Sequence, residues 1–235
     1  SNLLVDVTGD GAITNADYKI SLKDATTASA TVVQADLQFV VNGGTGDDTI
    51  TTGTGVDTID AGTGADTIDP GADALIDTIS YSAGDTAVSI GGAGNGGTIT
   101  GFDTIAANFD DGDGTDKGDV ISIDIGTTAL STSTANGTDS TLTVGGTAIK
   151  SHSTTNGIVT FDDADIYAAA LTLTGEAGAA AAIQYLQLQD IGAAGAVTAF
   201  DVGSDTYLFA QGDAAGTDDS LDVVVKILAE QSTAL

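Results

Sequence analysis

The residues best able to do chemistry are aspartates that recur every nine positions in a stretch rich in glycine and threonine. Three consecutive copies cover residues 43–51, 52–60 and 61–69, and each places an aspartate directly before a Thr-Ile pair. A fourth, irregular copy covers residues 70–79 and ends in the same Asp-Thr-Ile. Carboxylate oxygens at a fixed spacing, between glycine turns that expose main-chain carbonyl groups, are the ligands that a hard divalent cation prefers. This stretch therefore predicts cation binding.

The repeated form Gly-Gly-x-Gly-x-Asp-x-apolar-x resembles the calcium-binding nonapeptide of the RTX family, in which two repeats make one turn of a parallel β-roll. The resemblance implies that loops on one edge of the roll lie eighteen residues apart. Asp48 would then share an ion with Asp66, and Asp57 would share one with Asp77 or Asp73. The apolar positions Ile50, Ile59, Ile68 and Ile79 would point inward.

Side-chain carboxylates and main-chain carbonyl groups of the glycine turns would together supply six or more oxygen ligands per ion, as calcium requires. Several calcium ions are expected. Pro70 lacks a backbone donor, and an extra residue follows it, so the regular roll is predicted to end there. The predicted ligands in this stretch are Gly43, Thr45, Gly46, Asp48, Thr52, Thr54, Gly55, Asp57, Ala61, Thr63, Gly64, Asp66, Asp73 and Asp77.

Composition supports a folded and strongly acidic protein. Hydrophobic residues make up 41% of the chain, which is enough for a core, but aromatics are only 5% and tryptophan is absent. Small aliphatic side chains suit narrow β layers. The formal net charge of −29 repels nucleic acid and anionic membrane surfaces and attracts divalent cations, so folding is expected to be linked to metal. The alternative is that the acidic surface only keeps a secreted or halophilic protein soluble.

Disulfides and a transmembrane helix are not expected. The chain has no cysteine. No apolar run approaches the roughly 20 residues that a membrane-spanning helix needs.

A second cation motif occupies residues 6–17, where oxygen-bearing residues follow the spacing of an EF-hand loop with glycine at the sixth position. It resembles a dockerin-type loop, although dockerins carry two such loops and only one is found here. The alternative is an Asp/Gly-rich turn without an ion. A short helix is predicted over Ala16–Lys23, and a helix or a strand over 32–41. The predicted ligands are the side chains of Asp6, Thr8, Asp10 and Asp17 and the carbonyl group of Ala12.

Residues 78–128 resemble the flank that closes an RTX roll, since they contain the phrases Asp-Thr-Ile-Ser-Tyr-Ser and Gly-Phe-Asp-Thr-Ile. The acidic, glycine-rich loop that follows does not match the EF-hand spacing. It is predicted either to bind a further ion through Asp111, Asp113 and Asp116 or to be a solvated turn.

Residues 129–235 read as a mainly β region with one alanine-rich helix over Ala177–Leu188. Gly145-Gly146 indicates a two-residue hairpin. The closing strands resemble the C-terminal region of RTX proteins. The predicted fold is therefore mainly β: a small helical N-terminal segment (1–42), a short parallel β-roll with its closing flank (43–128), and a β-rich region with one helix (129–235).

Catalytic motifs are not found. His152, the single histidine, is expected to lie in a surface loop, because a Ser-His neighbour pair is not a catalytic triad. The zinc-protease motif H-E-x-x-H and the lipase motif G-x-S-x-G are both absent from the sequence. The chain is therefore not expected to be an enzyme.

The RTX resemblance implies export through a bacterial type I system and folding on calcium outside the cell. The predicted function is a calcium-dependent structural module at the cell surface, of the surface-layer or adhesin type, whose partners are calcium and either further copies of itself in a lattice or other surface proteins. One alternative is the C-terminal secretion and folding module of an exoenzyme whose catalytic part lies upstream. The other is a dockerin-like binding module.

Overall fold

The computed structural model describes residues 2–5, 18–21, 38–71, 75–86, 89–91, 98–106, 119–125, 129–131, 134–135, 143–144, 147–188, 191, 194–212 and 221–228. The chain divides into two compact units, 1–33 and 34–235. In the first unit, β1 (Asn2–Val5) pairs antiparallel with β2 (Tyr18–Ser21). The helix predicted over Ala16–Lys23 is wrong across β2. Tyrosine and isoleucine favour strands, and pairing with a distant strand outweighs a weak helical preference.

The second unit is mostly β-structure with one described helix. Its elements, in chain order, are β3 (Val40–Asn42), β4 (Thr49–Thr51), β5 (Thr58–Asp60), β6 (Thr67–Asp69), β7 (Thr78–Ser82), β8 (Ser89–Gly91), β9 (Thr98–Thr100), β10 (Asp103–Ile105), β11 (Val120–Asp124), β12 (Ala129–Leu130), β13 (Thr134–Ala135), β14 (Thr143–Val144), β15 (Thr147–Ala148), β16 (Ser151–Thr155), β17 (Ile158–Asp162), α1 (Gly175–Leu188), β18 (Ala196–Val202), β19 (Asp205–Ala210) and β20 (Val223–Ile227).

The repeats form a parallel β-roll, as predicted. Successive repeat strands alternate between two sheets, so β3, β5, β7 and β11 form one parallel sheet, while β4, β6 and β10 lie side by side in the other. The isoleucine of each Asp-Thr-Ile phrase is buried in the interior, whereas the threonine before it is not, because successive residues of a strand point to opposite faces. Ile59 pairs with Ile79, and Ile50 pairs with Ile68.

The roll continues beyond the nine-residue period. The strict spacing ends near Pro70, as expected, but β7, β10 and β11 still stack in parallel on the repeat strands. Their register is kept although more residues separate these strands in sequence. The closing flank therefore supplies β11, the last strand of the first sheet, and β10, through which the second sheet continues.

The second sheet of the roll runs on into the C-terminal region. β10 pairs in parallel with β20, which is followed by β19 and β18 in antiparallel order and then by β17 and β16, giving a 10-stranded sheet. The predicted helix and the predicted hairpin are confirmed as α1 and as the β14–β15 pair. Within the described residues, no helix is long and apolar enough to cross a membrane.

Two hydrophobic clusters divide the interior. The roll is filled by stacked isoleucines together with aliphatic side chains of β18, β19 and β20. The second cluster lies between the C-terminal sheet and α1, and it contains aromatic residues such as Phe161, Phe200 and Tyr185. The two halves of the unit are thus packed with different kinds of side chain.

Candidate calcium centre

Aspartates stack in two columns, one along each edge of the roll, just before the strands begin. We call them the Asp66 column (Asp48, Asp66, Asp103) and the Asp77 column (Asp57, Asp77, Asp119). In the Asp66 column, the carboxylate of Asp66 accepts the N–H of Asp48 at 2.8 Å, and the carboxylate of Asp103 accepts the N–H of Asp66 at 2.9 Å.

The Asp77 column repeats this arrangement. The carboxylate of Asp57 accepts the N–H of Phe39 at 2.7 Å, that of Asp77 accepts the N–H of Asp57 at 2.7 Å, and that of Asp119 accepts the N–H of Asp77 at 2.8 Å. One oxygen of each bonded carboxylate thus holds the preceding turn of the roll in place.

The second carboxylate oxygen is what makes these columns candidate metal sites. Oδ2 of Asp48, Asp57, Asp66 and Asp103 is buried and has no hydrogen-bond partner within the described part of the chain. A buried carboxylate oxygen without a partner is costly, and native proteins pair such groups with donors or with cations. The arrangement therefore fits a cation that lies between successive turns.

Burial and neighbouring negative charges raise the pKa values of two members of the Asp66 column. Burial, together with the charges of Asp66 and Asp85, raises the pKa of Asp103 to about 7. Burial also raises the pKa of Asp66, and the charges of Asp48 and other nearby aspartates add to it. A divalent cation among these groups would favour their ionised forms and lower both pKa values.

Tyr81 lies against the same column from inside the roll. Burial and the charge of Asp103 raise the pKa of its hydroxyl well above the usual range. The hydroxyl is close enough to interact electrostatically with Asp103, yet it falls short of hydrogen-bond geometry with any described group.

Glycine lets the turns of one edge lie directly on each other. Thr63 donates its N–H to the carbonyl oxygen of Gly44 at 2.9 Å, and Gly46 donates to the carbonyl oxygen of Thr63 at 2.7 Å. Gly62 has a φ of +86°, and a Cβ at this position would collide with the carbonyl oxygen of Gly44. Only glycine allows both the left-handed backbone and the close approach.

The structure brings most of the predicted repeat ligands together. The turn 43–48 lies against the turn 61–66, with Thr45 bridged to Thr63, so the predicted ligands of these turns share one edge. The turn 52–57 lies against residues 69–71 and Asp77 on the other edge, where Thr52 donates its hydroxyl hydrogen to the carbonyl oxygen of Pro70 at 2.8 Å. The brought-together residues are Gly43, Thr45, Gly46, Asp48, Ala61, Thr63, Gly64 and Asp66 on one edge, and Thr52, Thr54, Gly55, Asp57 and Asp77 on the other.

The remaining predicted ligands lie outside the described residues. They are the EF-hand-like positions Asp6, Thr8, Asp10, Ala12 and Asp17, the repeat aspartate Asp73, and the acidic-loop residues Asp111, Asp113 and Asp116.

Sequence reasoning missed Asp103 and Asp119 as members of the columns. Each is followed two residues later by an isoleucine, as in the repeats, and this was the available signal. They lie 37 and 42 residues beyond the aspartates they stack on, so a search for a fixed period does not find them.

Carboxylates alone do not complete a coordination sphere here. Across the described ranges, no group of three or more acidic or histidine side chains converges closely enough to hold an ion. Calcium accepts carbonyl oxygens and water alongside carboxylates, so the main-chain carbonyl groups of the turns must supply further ligands.

His152 does not lie in a surface loop, so that prediction is wrong. It is fully buried in β16, with Nδ1 3.1 Å from the hydroxyl oxygen of Tyr185, and burial lowers its pKa to about 4. The register of β16 on β17 places His152 opposite Phe161, so the polar-looking segment contributes one ring to the aromatic core.

Residues 40–74 match the family model of the RTX calcium-binding nonapeptide repeat, with four copies. This segment is an RTX-type repeat array. The match confirms the predicted repeats and supports calcium as their ligand, and RTX repeats are typical of secreted bacterial proteins. No curated protein and no solved structure matches the chain.

Proposed function

We propose that this chain is a calcium-dependent structural module of the bacterial cell surface, of the surface-layer or adhesin type, which folds on calcium after export. The observation that carries the proposal is the pair of aspartate columns. The carboxylates of Asp57, Asp66 and Asp103 each accept one N–H of the adjacent turn. Their Oδ2 atoms, and that of Asp48, are buried with no hydrogen-bond partner among the described residues.

This arrangement makes folding conditional on a cation. Where calcium is scarce, stacked carboxylates repel one another and the folded roll carries the desolvation cost of its unpaired oxygens. Where calcium is abundant, ions pair with those oxygens, and the binding free energy becomes folding free energy. A chain that must leave the cell unfolded gains from such a switch.

The role we assign is structural rather than catalytic. His152, the chain's one histidine, packs in the core against Tyr185 and is shielded from any substrate. The large C-terminal sheet would carry the contacts with other copies or other surface proteins.

Circular dichroism and calorimetry of the purified chain test the calcium dependence. In excess chelator we expect a weaker β signal and a lower melting temperature, and calcium should restore both where equimolar magnesium does not. The double variant D57N/D66N, which neutralises one carboxylate in each column, should lose most of the response. A chain with the same spectrum and melting temperature in chelator and in calcium would sink the proposal.

Electron microscopy with calcium tests the surface role. A two-dimensional lattice supports a surface-layer protein. A soluble monomer in calcium, together with a protease or lipase sequence encoded upstream of Ser1, would favour the exoenzyme module instead. Capture of a cohesin-type partner would favour the dockerin-like module.

A further inference from the structure

A third turn lies on the Asp66 edge, although the repeat sequence has ended there. In the first pair of turns, the N–H of Gly46 donates to the carbonyl oxygen of Thr63 at 2.7 Å. In the next pair, the N–H of the equivalent Gly64 donates to the carbonyl oxygen of Asp85 at 3.1 Å. Asp85 therefore takes the position that Thr45 and Thr63 hold in the repeats.

The aspartate column continues to the same level. Asp103 bonds to Asp66 as Asp66 bonds to Asp48, with nearly equal distances of 2.9 and 2.8 Å. Asp66 and Asp103 are 1% and 0% exposed, and the Oδ2 atom of each has no hydrogen-bond partner within the described chain. The buried Tyr81 hydroxyl lies beside Asp103 at this level.

We infer that a calcium ion binds between the repeat turn 61–66 and the non-repeat segment 82–86, held by Oδ2 of Asp66 and of Asp103. Asp85 adds a negative charge where the repeats have a neutral threonine. It lies beside the column, since its carbonyl oxygen accepts the N–H of Gly64, two residues before Asp66. Main-chain carbonyl groups complete the ligand set, as in the repeats. This inference rests on the proposed function, because the site shares Asp66 with the repeat turns.

The segment 82–86 also ties this ion to the C-terminal sheet. Thr86 is fully buried, and its hydroxyl donates to the carbonyl oxygen of Asp222 at 3.3 Å while accepting the N–H of Val224 at 2.8 Å. Val224 belongs to β20, which continues the sheet of the roll. An ion at this level therefore orders the segment on which β20 rests.

Equilibrium dialysis at saturating calcium provides the first test. D103N should bind one ion fewer per chain than the unmodified protein, because it removes the negative charge from a buried column member. D85N should keep the ion count but weaken one ion about tenfold, since ligand charge tunes calcium affinity. The matched control D163N, at an exposed aspartate remote from the column, should change neither value.

Hydrogen exchange at the Val224 amide provides a second test that survives a poorly folded D103N. In the unmodified protein, calcium should slow the exchange of this amide, and in D85N the same protection should require about tenfold more calcium. If D103N and D85N keep the full ion count, the same affinities and the same Val224 protection, this inference is wrong while the repeat sites stand. An unmodified chain that binds no calcium would overturn the proposed function as well.

Discussion

The roll and the C-terminal region both bury aspartates, but they differ in the hydrogen bonds that the buried carboxylates accept. In the C-terminal region, the two oxygens of Asp162 accept four backbone N–H groups, from Asp163, Ala164, Ala168 and Ala169. These bonds, led by that of Ala168, lower the pKa of Asp162 to about 2. In the roll, one oxygen of Asp66 and of Asp103 accepts an N–H, while the other has no hydrogen-bond partner among the described residues. The pKa values of both are raised.

The same contrast holds at the join between the two regions. Asp222, next to β20, accepts the N–H of Gly212 at 2.9 Å and a side-chain N–H of Gln187 at 3.4 Å, so the protein itself supplies its donors. The difference teaches that burial of a carboxylate does not by itself indicate a metal site. What indicates one is a buried oxygen that the protein leaves without a donor.

The two regions also differ in the side chains that fill their cores. The C-terminal core is built on aromatic contacts, such as Phe200 stacked on Tyr207 with centroids 5.5 Å apart. The roll holds narrow layers of isoleucine, each strand only three residues long where the repeats are regular. Short strands bury little surface per residue, so we expect the roll to depend on ions and the C-terminal core to be stable without them.

The largest effect should come from calcium removal. Each ion contributes about 2.7 kcal/mol when calcium is 100-fold above its dissociation constant, so several ions together contribute more than about 5 kcal/mol. Hydrogen exchange in chelator should show lost protection at the amides of β4, β5 and β6 and retained protection in β18 and β19. Equal loss of protection in both regions would show that the C-terminal region depends on calcium as much as the roll does.

The next largest effect should come from truncation in the aromatic core. Phe200→Ala removes a fully buried ring and should lower the free energy of unfolding by about 3–5 kcal/mol. The loss should be the same in calcium and in chelator, measured by urea denaturation followed by tyrosine fluorescence. Phe200→Leu is the milder control. A loss that appears only with calcium would show that this core also depends on the ions.

A smaller difference in stability is expected between alanine variants of two glycines that occupy the same repeat position. Gly44 and Gly62 have φ values of +97° and +86°, but a Cβ meets nothing within 4 Å at Gly44 and strikes the neighbouring turn at Gly62. Both alanine variants carry the backbone strain. Gly62→Ala should cost about 1–3 kcal/mol more through overpacking, and it should also weaken calcium binding. Equal melting temperatures for the two variants would contradict the stacking of the turns.

The effect that is smallest at neutral pH, and that grows only in acid, should come from His152. The unfolded chain takes up a proton near pH 6.5, whereas the buried imidazole stays neutral until about pH 4. The free energy of unfolding should therefore fall with decreasing pH between these values, by at most about 1.4 kcal/mol per pH unit. Stability above pH 6.5 is unaffected by this group.

His152→Gln supplies the control, since glutamine does not titrate. The difference in unfolding free energy between the variant and the unmodified protein should move in favour of the variant as the pH falls from 6.5 to 4. Parallel pH profiles would show that the histidine is not held neutral by the core.

Local sequence patterns predicted much of the fold. The nine-residue period and its RTX resemblance predicted the parallel roll, the inward isoleucines and turns eighteen residues apart on one edge, because each depends only on residues a fixed distance apart. The helix α1 and the β14–β15 hairpin follow from an alanine-rich run and a Gly-Gly turn. These signals are local, so a single sequence is enough to reveal them.

Features that depend on distant segments were not predicted. The strand β2 forms because β1 pairs with it, against the helix expected there. His152 is buried because β17 and α1 cover β16. The joining of β10 to β20 brings together residues more than a hundred positions apart, and no periodicity reports such a contact.

The sequence by itself determined that repeat turns of the RTX type exist here and how they repeat, because glycine geometry and carboxylate spacing are local properties. Only the tertiary structure decided where the columns end. It stacked Asp103 and Asp119 on the last repeat aspartates and placed Asp85 where the repeats have a threonine. Turns can stack in this way whatever number of residues separates them in the sequence. It also decided which buried carboxylate oxygens have no donor among the described residues, because whether an oxygen finds a donor depends on neighbours that lie far apart in the sequence.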